Sequence, residues 1–419
     1  MTADTERTLL NARFKRAHHV EKLSRDRDEP VVLVKANMPG EKKNPPHAHV
    51  ILNVAVRLLF DLLEPVMEVR TPSRDGDYHV MVIDGNATAL KRLGVYLEDT
   101  HRLGRLFDID VYENGKKLSR TELGRARRSC LICGGDVTLC RREGRHRLKT
   151  LRASIEQKVH GFLLDALSEE AAQALRKELY MHPCFALVGP GGSGRHTDMN
   201  ISHFLASIEA LKPYFRLYLS HGVALESTLH KLRSAGQRGE AAMMKATGGV
   251  NTHKGAHFIF GIVLPVFMHS VLEGATLERF KENLATASGV ILKDDFKGLS
   301  ERSPKTKGEA LYQKRGVRGV RGEALSGFRS VFEWYPAQGG DDLEILMRIM
   351  ARLEDTTLPM EAFETKAMKN ALRTCEAKGF EGREALYEQY RHLSPGGAAD
   401  MLALVYFLRS TDHLLKWTP

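Results

Sequence analysis

The sequence predicts a two-domain protein, an α+β domain followed by an all-helical one, on three observations. The chain has 419 residues, more than one ordinary hydrophobic core accommodates. Residues 31–112 alternate short β-rich runs with helical patterns. From about Leu151 the β signal fades, and helical periodicity continues between glycine-rich connectors. We therefore predict domains at residues 1–153 and 154–419.

The first domain is predicted to follow the order strand, helix, strand, strand, helix, strand. These six elements are Pro30–Ala36, His47–Leu63, Val66–Arg70, Tyr78–Ile83, Asn86–Glu98 and Leu106–Tyr112. Asn114-Gly115 after the last strand is a hairpin signal. The order is that of a ferredoxin-like βαββαβ sandwich, in which helices cover one face of a sheet.

The second domain is predicted to be all-α. Ser154 and Gln157 indicate a capping box at the start of its first helix. The later predicted helices are Asn200–Tyr214, Val223–Lys245, Gly255–Leu272, Leu277–Ser288, Asp341–Glu354, Pro359–Lys378 and Ala398–Arg409. The longest apolar run, Phe258–Met268, is shorter than the roughly 20 residues of a membrane span, so we predict buried core.

Composition and charge narrow the class of protein. Hydrophobic content of 42% and charged content of 27% are those of a soluble globular protein. Five cysteines and an N-terminus without an apolar targeting segment favour a cytoplasmic location and no membrane partner. The net charge of +10 is uneven: Lys116–Arg152 holds twelve Lys/Arg against three Asp/Glu. This basic stretch suits nucleic acid, a phosphorylated metabolite or an acidic protein, or is a solvated surface.

An Asp-x-Asp pair lies on the last predicted strand, in G-R-L-F-D-I-D-V-Y. Strand alternation puts Asp108 and Asp110 on one sheet face, where they can hold Mg²⁺ against a phosphate or line a solvated face. Arg105 precedes them, and Arg127 and Arg128 are further candidates for phosphate contacts. Such a group suits phosphoryl or nucleotidyl transfer, with the two carboxylates as catalytic metal ligands.

Three cysteines and a histidine lie in the basic stretch. The spacing Cys130-x₂-Cys133-x₆-Cys140-x₅-His146 is compatible with a structural Zn²⁺ held by three thiolates and an imidazole. The alternative is a set of buried free thiols in a reducing compartment.

The segment around the Asp-x-Asp pair resembles a known family. L-G-R-L-F-D-I-D-V-Y, then L-S-R, R-R-S-C-L-I-C, Cys140 and His146, with N-M-P-G-E-K-K-N earlier, resembles the apo-citrate lyase phosphoribosyl-dephospho-CoA transferases over roughly residues 20–155. These enzymes are also called citrate lyase holo-acyl-carrier-protein synthases. The resemblance implies transfer of phosphoribosyl-dephospho-CoA to a serine of the acyl carrier protein (gamma) subunit of citrate lyase, with loss of pyrophosphate. Carrier proteins are acidic, so the basic stretch is a candidate docking surface.

The stretch T-G-G-V-N-T-H-K-G-A at Thr247–Ala256 has the ingredients of a phosphate loop. It is not a Walker A loop, because Lys254 precedes Gly255 and alanine stands where Ser or Thr belongs. A glycine that opens a helix, a lysine, and Asn251 and His253 as donors nevertheless suit phosphates. The alternative is a glycine C-cap followed by a new helix.

Further motifs accompany this stretch in a recognisable order. His196 and Asp198 lie in G-R-H-T-D-M, and Glu240 lies about two turns before the glycine pair. R-G-V-R-G-V-R-G-E-A-L-S-G-F and S-P-G-G-A-A-D-M-L-A follow. Together they resemble the triphosphoribosyl-dephospho-CoA synthases over about residues 155–419. The resemblance implies an all-helical enzyme that joins ATP to 3′-dephospho-CoA and releases adenine.

That chemistry suggests roles for the motif residues. Attack on the anomeric carbon of the ATP ribose is expected to pass through an oxocarbenium-like transition state, which carboxylates stabilise. Candidate Mg²⁺ ligands or bases are Asp198, Glu240 and Asp400. Candidate phosphate ligands are Lys254, Arg318 and Arg321, with Asn251 and His253 positioning the ATP ribose. For Asp198 and Asp400 the alternative is stabilisation of a helix N-terminus.

One segment departs from the second family. Where that family shows Lys-Pro-Gly-Leu-Val-Asp, this chain reads C-F-A-L-V-G at Cys184–Gly189, without the basic residue and the carboxylate. Either Arg195 or a residue of Arg315–Arg321 substitutes, or activity is reduced.

Two alternative functions remain at this level. The same chemistry serves malonate decarboxylase, whose carrier protein bears the same group, although the G-R-L-F-D-I-D segment favours the citrate lyase branch. A basic zinc-containing nucleic-acid-binding protein is the other alternative. The basic stretch lacks interleaved aromatic residues and a recognisable nucleic-acid-binding signature, so nucleic acid is not the expected partner.

Overall fold

A computed structural model describes residues 3–299, 303–304, 307–336, 339–358 and 363–416. The chain forms two compact units. The first comprises Met1–Leu163, Val271–Gly274 and His413–Pro419, and the second comprises Leu164–Ser270 and Ala275–Asp412.

A five-stranded antiparallel sheet forms the centre of the first unit. Its strands are β1 (Val31–Ala36), β2 (Pro65–Thr71), β3 (Tyr78–Ile83), β4 (Phe107–Glu113) and β5 (Lys116–Lys117). Their order in the sheet is β2-β3-β1-β4-β5, and each neighbouring pair is antiparallel. The four predicted strands are all present. The predicted hairpin is present too, since Asn114 and Gly115 join β4 to β5 with φ of 50° and 75°, as a type I′ turn requires.

Helices cover both faces of this sheet. The helices of the first unit are α1 (Ala3–Arg25), α2 (Pro46–Phe60), α3 (Ala87–Thr100), α4 (Val137–Arg142) and the start of α5 (Leu148–Leu179). On one face Val20 of α1 packs with Val31 and Leu33. On the other, α3 approaches so closely that a Cβ at Gly94 would lie 2.8 Å from Ile109. Burial on two sides explains why β1 and β3 are apolar almost throughout rather than alternating.

Helix α1 and the start of α5 differ from the sequence prediction. No element was predicted before Pro30, yet α1 runs over 23 residues. The predicted capping box at Ser154 is wrong, because α5 already begins at Leu148 and Ser154 lies inside it. The predicted division between residues 153 and 154 lies inside α5, and the assignment of residues to the two units changes in the same helix, between Leu163 and Leu164.

The second unit is helical, as predicted. Besides the rest of α5, it contains α6 (Ile201–Gly222), α7 (Leu225–Ala246), α8 (Lys254–Glu273), α9 (Leu277–Leu292), α10 (Lys307–Arg315), α11 (Gly319–Leu325), α12 (Arg329–Phe332), α13 (Asp342–Arg352), α14 (Phe363–Ala377), α15 (Arg383–Tyr390) and α16 (Gly396–Thr411). The first residues of the predicted helix Pro359–Lys378 lie outside the described part of the chain. Helices α10, α11, α12 and α15 were not predicted.

Helix α8 is the core helix of the second unit. It has the length and apolar composition of a membrane span, but 72% of that window is buried within the structure. Phe260 and Phe267 of α8 both pack edge-on against Phe407 of α16. The prediction that Phe258–Met268 is buried core is therefore confirmed.

Candidate active sites

Asp108 and Asp110 lie on the same face of the sheet but in different surroundings. Asp110 is 8% exposed, and its carboxylate lies 2.5 Å from Lys117 Nζ and 3.6 Å from Lys91 Nζ. Asp108 is half-buried, lies 3.7 Å from Arg128 and lines a cavity. Two lysines thus already neutralise Asp110, while Asp108 faces the space where a substrate would bind.

Arg128 contacts the edge of strand β4 and the neighbouring helix α3. The Ile109 N–H donates to Glu98 of α3 at 2.9 Å, and Arg128 pairs with the same carboxylate. Arg128 also donates to the Phe107 carbonyl at 2.8 Å. Burial raises the pKa of Glu98, and Arg128 opposes that shift. Arg128 therefore supports the strand, whereas its neighbour Arg127 is exposed.

A cavity of about 530 Å³ lies beside Asp108 in the first unit. Cationic side chains crowd its wall; they are Arg13, Lys35, Lys43, Arg105 and Arg141. Asp108 is the acidic side chain among the described residues that line it. Burial, followed by the charge of Arg16, lowers the pKa of Lys35, and burial followed by Lys35 lowers that of Lys43. Cations desolvated in this way bind a polyphosphate favourably.

Asp75 forms ion pairs with two of the cationic side chains that line the cavity. Its side chain is fully buried, and its carboxylate lies 3.2 Å from Arg13, 2.7 Å from Arg16 and 3.6 Å from Lys35. Asp75 lies between the predicted strands Val66–Arg70 and Tyr78–Ile83 and was not predicted as a site residue, and Arg13 lies on the helix that was not predicted. Lys43 lay within N-M-P-G-E-K-K-N, which was recognised only as a family segment.

The predicted Cys/His cluster converges in the structure. The ligand atoms of Cys130, Cys133, Cys140 and His146 all lie within 4.8 Å of one another. Cys133 Sγ is 3.4 Å from both Cys140 Sγ and His146 Nε2. Tetrahedral Zn–S bonds of about 2.3 Å would place two sulfurs about 3.8 Å apart. The four residues can therefore hold a metal ion, and Cys130, Cys140 and His146 also line the cavity.

The basic stretch around this cluster is largely exposed. Several of its cationic side chains point into solvent, namely Arg125, Arg127, Arg142, Arg147 and Lys149. This part of the first unit therefore presents positive charge to an anionic partner.

In the second unit, the glycine pair of the predicted phosphate loop is a helix C-cap. Gly248 and Gly249 follow α7 with φ of 63° and 92°, and the Gly249 N–H donates to the Met244 carbonyl at 2.7 Å. This is the Schellman arrangement that ends a helix. Lys254 begins α8, and its Nζ lies 2.5 Å from Glu240 of α7. The structure thus brings together two of the predicted site residues.

His253 lies in the interior of the second unit, whereas Asn251 is exposed. The imidazole of His253 is 2% exposed, its Nδ1 lies 2.8 Å from Ser207 Oγ, and it packs edge-on against Phe204. Burial, reinforced by the charge of His257, lowers the pKa of His253 to about 3. The ring is therefore neutral at physiological pH.

Asp400 is half-buried and lies against the first turn of α8. It accepts the Ala256 N–H, and a Cβ at Gly255 would lie 1.9 Å from its Oδ2. Burial, and then the charges of Glu178 and Asp355, raise the pKa of Asp400 well above its usual value. A carboxylate of the protein thus partly occupies the helix N-terminus that was predicted to attract phosphate, which is the contact expected under the alternative stated for Asp400.

Two buried acids that the sequence analysis missed, Asp355 and Glu178, lie close enough to Asp400 for their charges to raise its pKa. Asp355 is 2% exposed and accepts the N–H groups of Thr357 at 2.9 Å and Ala398 at 3.0 Å. Burial raises the pKa of Glu178 to about 8. Within the described ranges, none of these three acids has a cationic partner within ion-pair distance.

Asp198 and the two predicted arginines, Arg318 and Arg321, make contacts of different kinds. Asp198 is exposed and lies 4.0 Å from His196, whose Nε2 is 3.2 Å from Ser394 in the loop before α16. Arg321 pairs at 2.8 Å with the nearly buried Asp295 and lies over the ring of Phe258 in α8. Arg318 lies over Phe296. The structure therefore does not bring the two arginines into contact with the predicted acids.

The segment Cys184–Gly189, which departs from the family pattern, packs beside the loop before α16. The Ala186 N–H donates to the Leu393 carbonyl at 3.0 Å, next to Ser394. The Arg195 N–H donates in turn to the Ala186 carbonyl at 3.2 Å. Arg195, one of the substitutes predicted for the missing basic residue, thus has its backbone beside this segment.

The first unit has a cavity lined by cations, and the second has a group of neighbouring acids, an arrangement compatible with a transferase that acts on phosphorylated substrates. Comparison with known proteins agrees with this class. Residues 5–162 match the family described as apo-citrate lyase phosphoribosyl-dephospho-CoA transferase. Residues 164–419 match the family described as ATP:dephospho-CoA triphosphoribosyl transferase.

Whole-length relatives carry both parts on one chain. Protein CitXG of Leuconostoc mesenteroides subsp. cremoris is 31% identical over 90% of this chain and 91% of the relative. Protein CitXG of Haemophilus influenzae is 30% identical over 96% and 95%, respectively. The 2-(5''-triphosphoribosyl)-3'-dephosphocoenzyme-A synthase of Klebsiella pneumoniae is 33% identical over 56% of this chain and 87% of its own length. The chain belongs to the CitXG family, and both resemblances seen in the sequence are confirmed.

Proposed function

We propose that this chain makes the prosthetic group of citrate lyase and attaches it. In the first reaction, ATP and 3′-dephospho-CoA give 2′-(5″-triphosphoribosyl)-3′-dephospho-CoA and adenine. In the second, phosphoribosyl-dephospho-CoA is transferred to a serine of the apo acyl carrier protein, with release of pyrophosphate. The observation that carries this proposal is the ordered pair of family matches over residues 5–162 and 164–419.

We assign the synthase reaction to the second unit. A hydroxyl of dephospho-CoA attacks the anomeric carbon of the ATP ribose, and the bond to adenine breaks. Asp355 is buried and Asp400 is half-buried, and among the described residues neither has a cationic partner within ion-pair distance, so they suit Mg²⁺ bound with the triphosphate. Mg²⁺ would supply charge neutralisation there. Lys254, beside Glu240, would contact a phosphate, and Glu240 would accept the hydroxyl proton.

Four other predicted residues have less direct proposed roles in that unit; they are Asp198, Asn251, Arg318 and Arg321. Asp198 and Asn251 are exposed and would meet the substrate from solvent. Arg321 would reach phosphates by exchanging its pair with Asp295. Because His253 is buried and neutral, we propose that it orients the ATP ribose through its neighbours rather than by direct contact.

We assign the transfer reaction to the first unit. Arg13, Lys35, Lys43 and Arg105 would bind the phosphates and stabilise the leaving pyrophosphate. Asp108 would hold a Mg²⁺ ion against them, while Asp110 orients the two lysines that neutralise it. The exposed basic stretch would dock the acidic carrier protein, with Arg127 as part of that surface.

We further propose a ferredoxin-like fold for the first unit and a cytoplasmic location. The element order β1-α2-β2-β3-α3-β4 and the sheet order β4-β1-β3-β2 support this fold, with β5 added beyond β4 and α1 on the second face. The composition of a soluble globular protein and the burial of α8 support the location.

One assay tests the proposal. The purified chain is incubated with ATP, 3′-dephospho-CoA and Mg²⁺, and free adenine is measured by chromatography. Apo carrier protein of citrate lyase or of malonate decarboxylase is then added, and its mass is determined. Adenine release followed by a mass gain on the citrate lyase carrier is expected. No adenine and no mass gain would overturn the proposal, and a gain on the malonate decarboxylase carrier alone would reassign the partner.

A further inference from the structure

We propose that Cys130, Cys133, Cys140 and His146 bind one Zn²⁺ ion, and that this ion positions Arg105 in the transfer cavity. The zinc site stands on its own geometry. The role of Arg105 rests on the proposed transfer function. Two observations carry the inference: the backbone around the cysteines, and the hydrogen bonds that join this loop to Arg105.

The first cysteine pair has the backbone of a metal-binding turn. The Cys130 N–H donates to the Gly135 carbonyl at 2.7 Å, and the Gly134 N–H donates to the Cys130 carbonyl at 3.0 Å. Gly134 takes the left-handed conformation, with φ of 70°. The N–H groups of Ile132 and Cys133 point at Cys130 Sγ. Three cysteine sulfurs and an imidazole nitrogen that converge in this way form a complete tetrahedral ligand set.

The segment that carries the ligands has almost no hydrophobic core of its own. Between residues 121 and 147, Cys130 and Cys140 are the buried residues. Such a segment gains too little from hydrophobic burial to order itself, and a bound metal commonly supplies the missing stabilisation. An ion at this point would therefore fix the whole loop.

Arg105 is tied to this loop at the residue before the first ligand. Its Nε donates to the Ser129 carbonyl at 2.7 Å, and its Nη2 donates to the same oxygen. Its Nη1 is buried and has no hydrogen-bond partner within the described residues, and the side chain lines the transfer cavity. The loop thus holds two nitrogens of the guanidinium and leaves the third for a substrate phosphate. Metal loading would set the position of that third donor.

Cys133 gives the cleanest test, because it is the ligand that does not line the cavity. The full chain is purified, and zinc is measured by mass spectrometry; Co²⁺ replacement reports thiolate ligation by absorbance. We expect about one zinc per chain, lost in Cys133→Ser and retained in the matched control Cys375→Ser, a thiol of the second unit. A zinc-free wild type whose thiols all react with an alkylating reagent would overturn the site.

The positioning role is tested by a double-mutant cycle on the KM of the transfer step, with triphosphoribosyl-dephospho-CoA supplied. Cys133→Ser is expected to raise KM roughly 10- to 100-fold. Combined with Arg105→Ala it should add little, because both changes remove the same contact, whereas combined with Lys43→Ala its effect should multiply. Equal multiplication in both cycles would refute positioning. If the zinc-loaded wild type transfers nothing to either carrier protein, the proposed function fails and so does the Arg105 role, but the metal site stands.

Discussion

The candidate sites of the two units carry opposite charges: the first is lined by cationic side chains, and the second by carboxylic acids. In the first, burial and neighbouring cations lower the pKa values of Lys35 and Lys43. In the second, burial and neighbouring carboxylates raise the pKa of Asp400, beside Asp355 and Glu178. Each group is desolvated and lies among like charges, so a ligand of opposite sign would stabilise it. We therefore propose that the first unit binds phosphate directly and that the second binds it through a cation.

The largest effect is expected from removing a charge in the second unit. Asp400→Asn keeps an acceptor for the Ala256 N–H but cannot balance a cation, so adenine release should fall roughly 10²–10³-fold. Chromatography of the reaction with ATP, 3′-dephospho-CoA and Mg²⁺ measures this. The exposed Asp294→Asn should be unaffected. Normal adenine release from Asp400→Asn would exclude Asp400 from the site.

The corresponding change in the first unit is Asp75→Asn. It removes the carboxylate shared by Arg13, Arg16 and Lys35, so it should destabilise the unit by about 3 kcal/mol and weaken pyrophosphate binding. Denaturant unfolding and titration calorimetry measure the two effects. The exposed Asp84→Asn is the control. Unchanged stability and binding in Asp75→Asn would show that Asp75 does not hold the cavity cations.

A pH-dependent effect should distinguish the buried acids from surface acids. Burial raises the pKa of Glu178 from 4.5 to about 8, so the folded chain keeps a proton that the unfolded chain releases. Its stabilising contribution is complete below pH 4.5 and is lost as the pH rises through 8. Glu178→Gln should flatten the decline of stability between these values, whereas the exposed Glu226→Gln should not. Parallel pH profiles for wild type and Glu178→Gln would contradict this account.

The smallest expected effect is on carrier-protein binding, and it distinguishes the roles of the adjacent residues Arg127 and Arg128. Arg127→Ala removes an exposed charge and should weaken carrier-protein association by about 2- to 5-fold, an effect that vanishes at high salt. Arg128→Ala should instead lower stability, because it leaves the buried Glu98 without its cation. Binding measured at two salt concentrations, together with thermal unfolding, tests both. Equal behaviour of the two variants would contradict the distinction.

Local patterns predicted the strands and many of the helices, but not the burial and partners of the site residues. The strands, the Asn-Gly hairpin and the helices on either side of the glycine pair follow from neighbouring residues alone. Asp75 was missed because the arginines that define it lie about 60 positions earlier in the chain. Asp355 was missed for the same reason, since Ala398 is 43 positions away. The capping box at Ser154 failed because a helix that has already begun overrides a local start signal.

The Cys/His cluster, by contrast, could be found from the sequence because its four residues lie close together in the chain. Its spacing alone left zinc ligands and buried thiols equally open, yet all four side chains converge. Arg128 shows the limit of such reasoning: it was predicted to contact phosphate because it lies next to the cysteines, and the spacing did not indicate that it also contacts Glu98 and the Phe107 carbonyl at the edge of a strand. Sequence spacing identifies which residues belong together, whereas their burial and partners decide what each one does.

The contact between Gly255 and Asp400 has a consequence for how this chain can vary. A side chain at position 255 would occupy the space that the carboxylate fills. A lineage that keeps the acid must therefore keep the glycine, and one that loses the acid is free to acquire a larger residue there. The two positions, far apart in the chain, should change as a pair.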